Sequence, residues 1–378
     1  MRTIHGFDDF LSPIDKILDE QLLPCFFGQE NITINDHRDL LALSPSNGGS
    51  DRQYRNSKFV TSIHVESILQ QCNVMIEQDC NGKTTDEIRR DLSTRSRVDK
   101  RVTIENVHSN LTGDLKDYVD QACDKGASAW LTALPLKEQN LDLNKQEFTD
   151  AVNLRYNESL QNLPSYCACG EKFNTTHAMC CKKGGFITQR HDNIRDLLTV
   201  SLDHVCNDVE SEPHLLKITN EKFHLKSANT SDDARLDIKA KGFWRKGETA
   251  FFDVRVTHVN SKTSKNLSTK CLFRRHEEAK KREYMERVIE VEHGSFTPLV
   301  FGTNGGAGDE CKKFISKLAS KLADKNNERY EQTLYWLRTR ISMEITRSSL
   351  LCLRGSRTPF RSYRMDDIRL ENALSAVS

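Results

Sequence analysis

The chain has no long hydrophobic run. Nothing in its 378 residues approaches the ~18 consecutive apolar residues that a membrane-spanning helix needs. It has almost no net charge: 55 Lys and Arg stand against 54 Asp and Glu, so bulk charge selects no class of partner. Apolar content is low at 37% and charged content is 29%, which favours small modules separated by solvated helices. At this length two to three domains are expected. The start, from Met1 to Asp9, lacks the apolar core of a signal peptide. An intracellular, reducing setting is therefore expected, with no membrane partner. The 12 cysteines then read as thiols or metal ligands rather than disulfides. The glycine-rich stretch 302–308 lacks the Gly-Lys-Ser/Thr ending of a phosphate-binding loop, so it reads as a mobile connection. No internal repeat is visible.

What is present centres on residues 191–302. Residues 234–240 and 250–256 alternate as strands, and Arg245-Lys246-Gly247-Glu248 between them suits a tight turn. Residues i and i+2 of a strand share a face, so Asp237 falls with Lys239 and Asp253 with Arg255. Two carboxylates on adjacent strands, close to cations, suit a divalent metal acting on a phosphodiester. Residues 191–205 have the stripe of an amphipathic helix through Ile194, Leu197, Leu198, Leu202 and Val205. Residues 209–218 can form a strand carrying Glu212, a candidate third acid. Residues 273–292 read as a charged helix with Met285, Val288 and Ile289 inward. Residues 296–301 read as a short buried strand that Pro298 favours at an edge. The resulting order is α, β, β, β, α, β.

A second cluster lies at residues 167–181. Cys167, Cys169, His177 and Cys181 form a set of soft and borderline ligands in a loop short enough to close on zinc, with Gly170 supplying the turn. Cys180 is the alternative fourth ligand; Cys181 has the commoner spacing from His177. Four protein ligands make such a site structural. Arg190 and His191 precede Asp192 and Asn193, either of which would suit a helix start, and a cation there would suit a phosphate. The basic run 260–287 contains Arg274, Arg275, Lys280 and Lys281, fitting contact with a DNA backbone. Tyr284 shares a helix face with either lysine.

The remainder reads mainly as helical scaffold. Helical stretches are expected over 1–30, 57–76, 114–133 and 144–157, with a loop at 44–56. Residues 80–106 suit either a solvated helix or a linker. Helices are expected again over 309–323 and 328–352, followed by a loose tail after Gly355. The domain boundaries that follow are 1–158 helical, 159–189 zinc knuckle, 190–308 acid-bearing core, and 309–378 C-terminal helices and tail.

Several of these motifs occur in an ordered series. They are Gly126 to Leu136, the Cys-x-Cys-Gly…His…Cys loop, Arg190-His191-Asp192, Arg235-Leu236-Asp237-Ile238, Phe252-Asp253-Val254-Arg255-Val256 and Lys280-Lys281-Arg282-Glu283-Tyr284. The series resembles the C-terminal region of LINE-type (non-LTR) retrotransposon polyproteins, beyond the reverse transcriptase. The resemblance implies an α+β chain with a helical N-terminal region, a zinc knuckle, a restriction-endonuclease-like αβββαβ core and C-terminal helices. It implies an endonuclease that nicks target DNA so that the new 3′ end primes reverse transcription. Asp237 and Asp253 would hold Mg²⁺ or Mn²⁺. Arg255 stands where many such nucleases carry lysine, and it cannot act as a base at neutral pH. Lys281 or Lys280 would supply that lysine, with Tyr284 beside it. Partners would be DNA and the element RNA, and the working place the nucleus. No Tyr-x-Asp-Asp run is present, so the chain itself is not expected to copy RNA. The alternative is an inactive zinc-knuckle remnant that only binds nucleic acid.

Overall fold

The computed structural model of the chain describes residues 23–28, 40–41, 43–50, 85–264 and 267–357. The expected helix over 57–76, most of that over 1–30, part of the 44–56 loop and nearly all of the tail lie outside the described residues. The architecture is mixed α+β, with helices around a four-stranded mixed sheet.

The most strongly patterned strand is Thr249–Thr257, here β3. Its aromatic and β-branched residues suit a strand covered on both faces. Phe252 and Val254 enter one core cluster and Phe251 another. Three further strands complete the sheet: β1 (Asn207–Ser211), β2 (Ile238–Lys241) and β4 (Ser295–Gly302). The order is β1-β2-β3-β4, antiparallel except for the parallel β3–β4 pair. Pro298 thus sits on a terminal strand of the sheet, as its missing N–H requires. In the turn before β3, the Glu248 N–H donates to the Arg245 carbonyl, and Gly247 takes φ +84°.

β1 is shorter than the pattern over 209–218 implies. Glu212 has φ +53° and Pro213 has no N–H to give, so the ladder stops at Ser211. Only an isolated bridge, His214 to Arg235, continues it. β2 likewise begins at Ile238 rather than at Ala234.

In chain order, the described α-helices are α1 (Leu23–Phe27), α2 (Thr85–Asn110), α3 (Gly113–Ala122), α4 (Lys145–Tyr156), α5 (Thr175–Cys180), α6 (Phe186–Asp203), α7 (Thr269–Glu290), α8 (Asp309–Asn326) and α9 (Tyr330–Arg354). The described part of the charged stretch over 80–106, from Thr85 on, belongs to helix α2. The stretch over 114–133 is broken: α3 ends at Ala122, Gly126 takes φ +100°, and a 3-10 turn covers Ala129–Thr132.

Helices cover both faces of the sheet. On one side Ile194, Leu198 and Leu202 of α6, Phe314, Leu318 and Leu322 of α8, and Leu337, Ile341 and Ile345 of α9 bury Ile238, Phe252, Leu299 and Phe301. On the other, Tyr284 and Val288 of α7 pack on Phe251 and Phe296. α7 is turned differently from its apolar stripe. Met285 and Ile289 are exposed, while Arg287 is fully buried. Its guanidinium donates to the carbonyls of Leu216, Asn229 and Ser231 at 2.7–3.0 Å, pinning the long β1–β2 excursion onto the helix. Three backbone acceptors outweigh two apolar side chains in deciding which face turns inward.

α9 also reaches beyond the sheet. Met343, Leu350, Cys352 and Leu353 join a separate core with Trp130, Val152, Tyr156, Cys167 and Phe173. The stretch 302–308 is a tied turn, correcting the expectation of a mobile connection. The Gly302 N–H donates to the Gly306 carbonyl, and Asn304 Nδ2 donates to the Gln121 carbonyl and Asp124 Oδ2. None of the described helices is long and apolar enough to cross a membrane.

Candidate functional site

Strand alternation directs Asp253 and Arg255 to the α7 side of the sheet, in step with Phe251. Ile238 pairs with Phe252, so the next position back along the ladder sets Asp237 against Asp253. The Asp237 N–H donates to the Phe252 carbonyl at 3.1 Å, and its Oδ2 accepts the Val254 N–H at 2.6 Å. Asp237 is thus bound to both neighbours of Asp253. His191, in the second turn of α6, donates from Nε2 to the same Oδ2 at 3.1 Å.

From α7, Lys280 Nζ donates to Asp253 Oδ1 at 3.1 Å and lies 3.7 Å from Glu283 Oε2. The ammonium stands 5.2 Å from the centre of the Tyr284 ring. Asp253 is only 6% exposed, and its Oδ2 is buried with no partner. His276 is one turn before Lys280 on α7, near enough to Arg255 to feel its charge.

These contacts set the protonation states. Burial pushes Asp253 up to about 6; Lys280 opposes the shift and the neighbouring Asp237 adds to it. Burial works against the charge of Lys280, but Asp253 and Glu283 outweigh it and its pKa rises. The hydrogen bond to Asp237 lifts His191 to about 9, with burial opposing and Asp192 assisting, so the imidazole is a cation at neutral pH. Burial first, then the charges of Arg255 and Arg275, drops His276 to about 4.

Not every sequence-predicted residue joins this site. Lys281 turns away and binds Glu310 at 2.9 Å, leaving Lys280 as the lysine on the acids. Glu212 lies past the end of β1, and its carboxylate is held by Arg195. Arg190 is no phosphate contact. α6 begins at Phe186 with Gly185 as its cap, so Arg190 and His191 lie inside the helix. Arg190 is buried, donating to the Met179 carbonyl and to Cys352 Sγ. Tyr284 is buried too, with its hydroxyl 3.4 Å from Asn229 Nδ2. Arg274 and Arg275 remain exposed on α7, Arg274 beside Glu278 at 3.0 Å. His191 and Glu283 are the site residues whose contacts the sequence does not announce. His191 meets Asp237 from 46 positions away, and no local pattern encodes that approach.

The second site gathers Cys167, Cys169, His177 and Cys181. Among the described residues it is the one group of three or more potential ligands whose donor atoms all lie within 4.8 Å of one another. Gly170, with φ +93°, turns the chain between the pairs, and its N–H donates to the Cys167 carbonyl. Asn174 caps α5 through the His177 N–H and so fixes the imidazole's helix. Cys167 Sγ is 3.8 Å from Cys181 Sγ, and Cys169 Sγ is 3.4 Å from His177 Nε2. A tetrahedron with bonds of about 2.3 Å to sulfur and about 2.0 Å to nitrogen has edges of about 3.5–3.8 Å. The donor set therefore fits zinc. Cys180 is exposed and outside the cluster.

Two outcomes follow from this geometry. Cys181→Ser should lose zinc measured by elemental analysis of the purified chain, while Cys180→Ser should keep it; equal retention in both would exclude the site. In metal-free buffer, Asp253→Asn should stabilise the chain at pH 7.5 by about 2–3 kcal/mol in urea unfolding, because a folded pKa above the ordinary one makes ionisation costly. That gain should fade as pH falls through about 6 and be absent by about pH 3, where the carboxyl is protonated in both states. Destabilisation at pH 7.5 would mark Asp253 as a structural anchor instead.

The chain matches no family model and no curated protein sequence, so its sites are read from their own geometry.

Proposed function

We propose that the sheet and its helices form a divalent-metal-dependent DNA endonuclease of the restriction-like kind, preceded by a structural zinc knuckle. The observation that carries the reading is Asp253, a buried carboxylate beside a second carboxylate, with one oxygen on Lys280 and the other without a partner. An ionisable group held in this way has little structural use and a ready catalytic one. The order α6, β1, β2, β3, α7, β4 and the change from antiparallel to parallel pairing at β3–β4 support the restriction-like core. The ordered motifs that resemble LINE-type retrotransposon proteins supply the setting: nicking of target DNA in the nucleus, with element RNA as a second partner.

Asp237 and Asp253 are the residues that would hold Mg²⁺ or Mn²⁺; Asp253 Oδ2, buried and unpartnered, fits a cation. Such an ion supplies Lewis-acid charge at the phosphate and a more acidic bound water. The chain's own residues do the positioning. The Val254 N–H and His191 fix the Asp237 carboxylate in one rotamer. Lys280 balances the buried charge of Asp253, and its ammonium would meet an attacking water or the scissile phosphate. Arg255, on the same strand face, would bind a neighbouring phosphate oxygen.

The test is nicking of supercoiled plasmid with Mn²⁺. The chain should nick, Asp237→Ala should lose about 10²-fold or more, and Lys280→Ala should fall far below Lys281→Ala. Unchanged nicking by Asp237→Ala would discard the assignment. Loss in Lys281→Ala alone would move the lysine's role.

A further inference from the structure

A narrow cleft lies where the turn after α3 meets α8 and α9, and none of its lining belongs to the acid site or to the cysteine–histidine loop. Two glycine turns shape it. Gly126 takes φ +100° and Gly305 φ +87°. A Cβ on Gly305 would meet the Ala127 Cα at 3.1 Å, so the two turns touch and bring Lys125 against the helices. The buried Phe301, Ile315 and Ile341 form the inner wall, while Lys125, Lys312 of α8 and Arg338 of α9 supply the charge. No carboxylate lines the cleft.

Two of these three cations have no countercharge. Among the described residues, the side chains of Lys125 and Arg338 make no hydrogen bond or ion pair. Arg338 is half-buried, and burial pushes its pKa down, with Tyr330 opposing. Lys312 is shared: its ammonium stands 3.5 Å from Asp309 Oδ1, and its charge reaches Asp124. Like charges gathered beside apolar walls repel one another, and an anion between them relieves that repulsion.

Size decides how an anion enters. The enclosed space is about 20 Å³, room for one water-sized group. One oxygen of a phosphate fills it, with the phosphorus and the other oxygens at the mouth, where Lys125 is exposed. A tetrahedral anion can meet cations on three sides in this way; a planar carboxylate has only two oxygens to share. The neighbours name the source. Tyr335 shares a face of α9 with Arg338, three positions on. It is 49% exposed, and its hydroxyl donates to the Thr132 carbonyl at 2.6 Å. Trp336 is 42% exposed, with the Arg340 guanidinium 5.7 Å from its ring and bound in turn to the Gln139 carbonyl. Exposed aromatic rings held in place beside cations are stacking surfaces for unpaired bases.

The geometry points to a phosphate-binding site at Lys125, Lys312 and Arg338, and to the backbone of a single-stranded polynucleotide as the source of the phosphate, its bases against Tyr335 and Trp336. The site stands on its own charges and does not need the nuclease reading. α8 and α9 cover the face of the sheet opposite α7, so a strand bound here lies across the sheet from Asp253 and Lys280.

Two arms test the proposal on the full chain in buffer without Mg²⁺ or Mn²⁺, so that nicking plays no part. In the first, inorganic phosphate is titrated and followed by ³¹P line broadening. In the second, a fluorescein-labelled single-stranded thymidylate oligomer is followed by anisotropy over a range of salt. Both should show saturable binding, and Arg338→Gln should weaken both by about tenfold or more while keeping the wild-type melting temperature. In the oligomer arm that variant should also lower the slope of log K against log salt by about 0.7, the share of one phosphate contact on a single strand. Trp336→Ala should weaken the oligomer by about fivefold or more and leave inorganic phosphate unmoved. Should Arg338→Gln fail to fold, Lys125→Gln, at an exposed position, takes its place. Phosphate binding without oligomer binding would overturn the polynucleotide as the source. No saturable binding in either arm, or binding unmoved by a folded variant, would overturn the site itself.

Discussion

The structure turns on one register. Pairing Ile238 with Phe252 brings Asp237 level with Asp253, and the 2.6 Å bond from the Val254 N–H makes that register hard to slip. Moving β2 by one residue would turn its side chains to the opposite face and release Asp237 from its backbone partners. The cost of placing two carboxylates together is visible in Asp253, whose acidity burial and Asp237 both weaken. Lys280 and His191 offset it with positive charge from two different helices, one on each side of the sheet. The strands and both flanking helices are thus needed before the acids can sit where they do.

What the sequence discloses follows from how local each signal is. β3 alternates Phe252, Val254 and Val256 with Asp253 and Arg255, and the shared face of the two charged residues comes directly from a period of two. The stripe of α6 survives nearly intact: Ile194, Leu198 and Leu202 are all buried. The failures are tertiary. Met285 and Ile289 look like core and are exposed, because Arg287 claims the inward face by binding three carbonyls from a distant excursion. Arg190 looks like a surface cation and is buried against Met179 and Cys352, the latter 162 positions away. Basic residues are read as solvated by default, and nothing local marks Arg190 and Arg287 as exceptions. The choice between Lys280 and Lys281 has the same origin: adjacent helix positions differ by about 100°, and only packing tells which one meets the strand.

α9 joins what the sequence treats as separate parts. It packs with the sheet through Leu337, Ile341 and Ile345, and its last turns pack with the cysteine–histidine loop and the N-terminal helices through Leu350, Cys352 and Leu353. The boundary drawn before residue 309 therefore cuts through shared core. Asn304 and the Gln121–Asn260 amide pair tie the same parts together from the other side. A metal held by the cysteine–histidine loop would steady the end of α9, which shares its core.

The central claim is that Asp237 and Asp253 grip a common cation, and Mn²⁺ binding followed by electron paramagnetic resonance tests it without reference to any reaction. Free Mn²⁺ signal should fall on titration with the zinc-loaded chain, and that fall should be lost in Asp237→Ala and in Asp253→Ala alike. Undiminished Mn²⁺ binding in either variant would contradict the account, because the two carboxylates would then not share an ion.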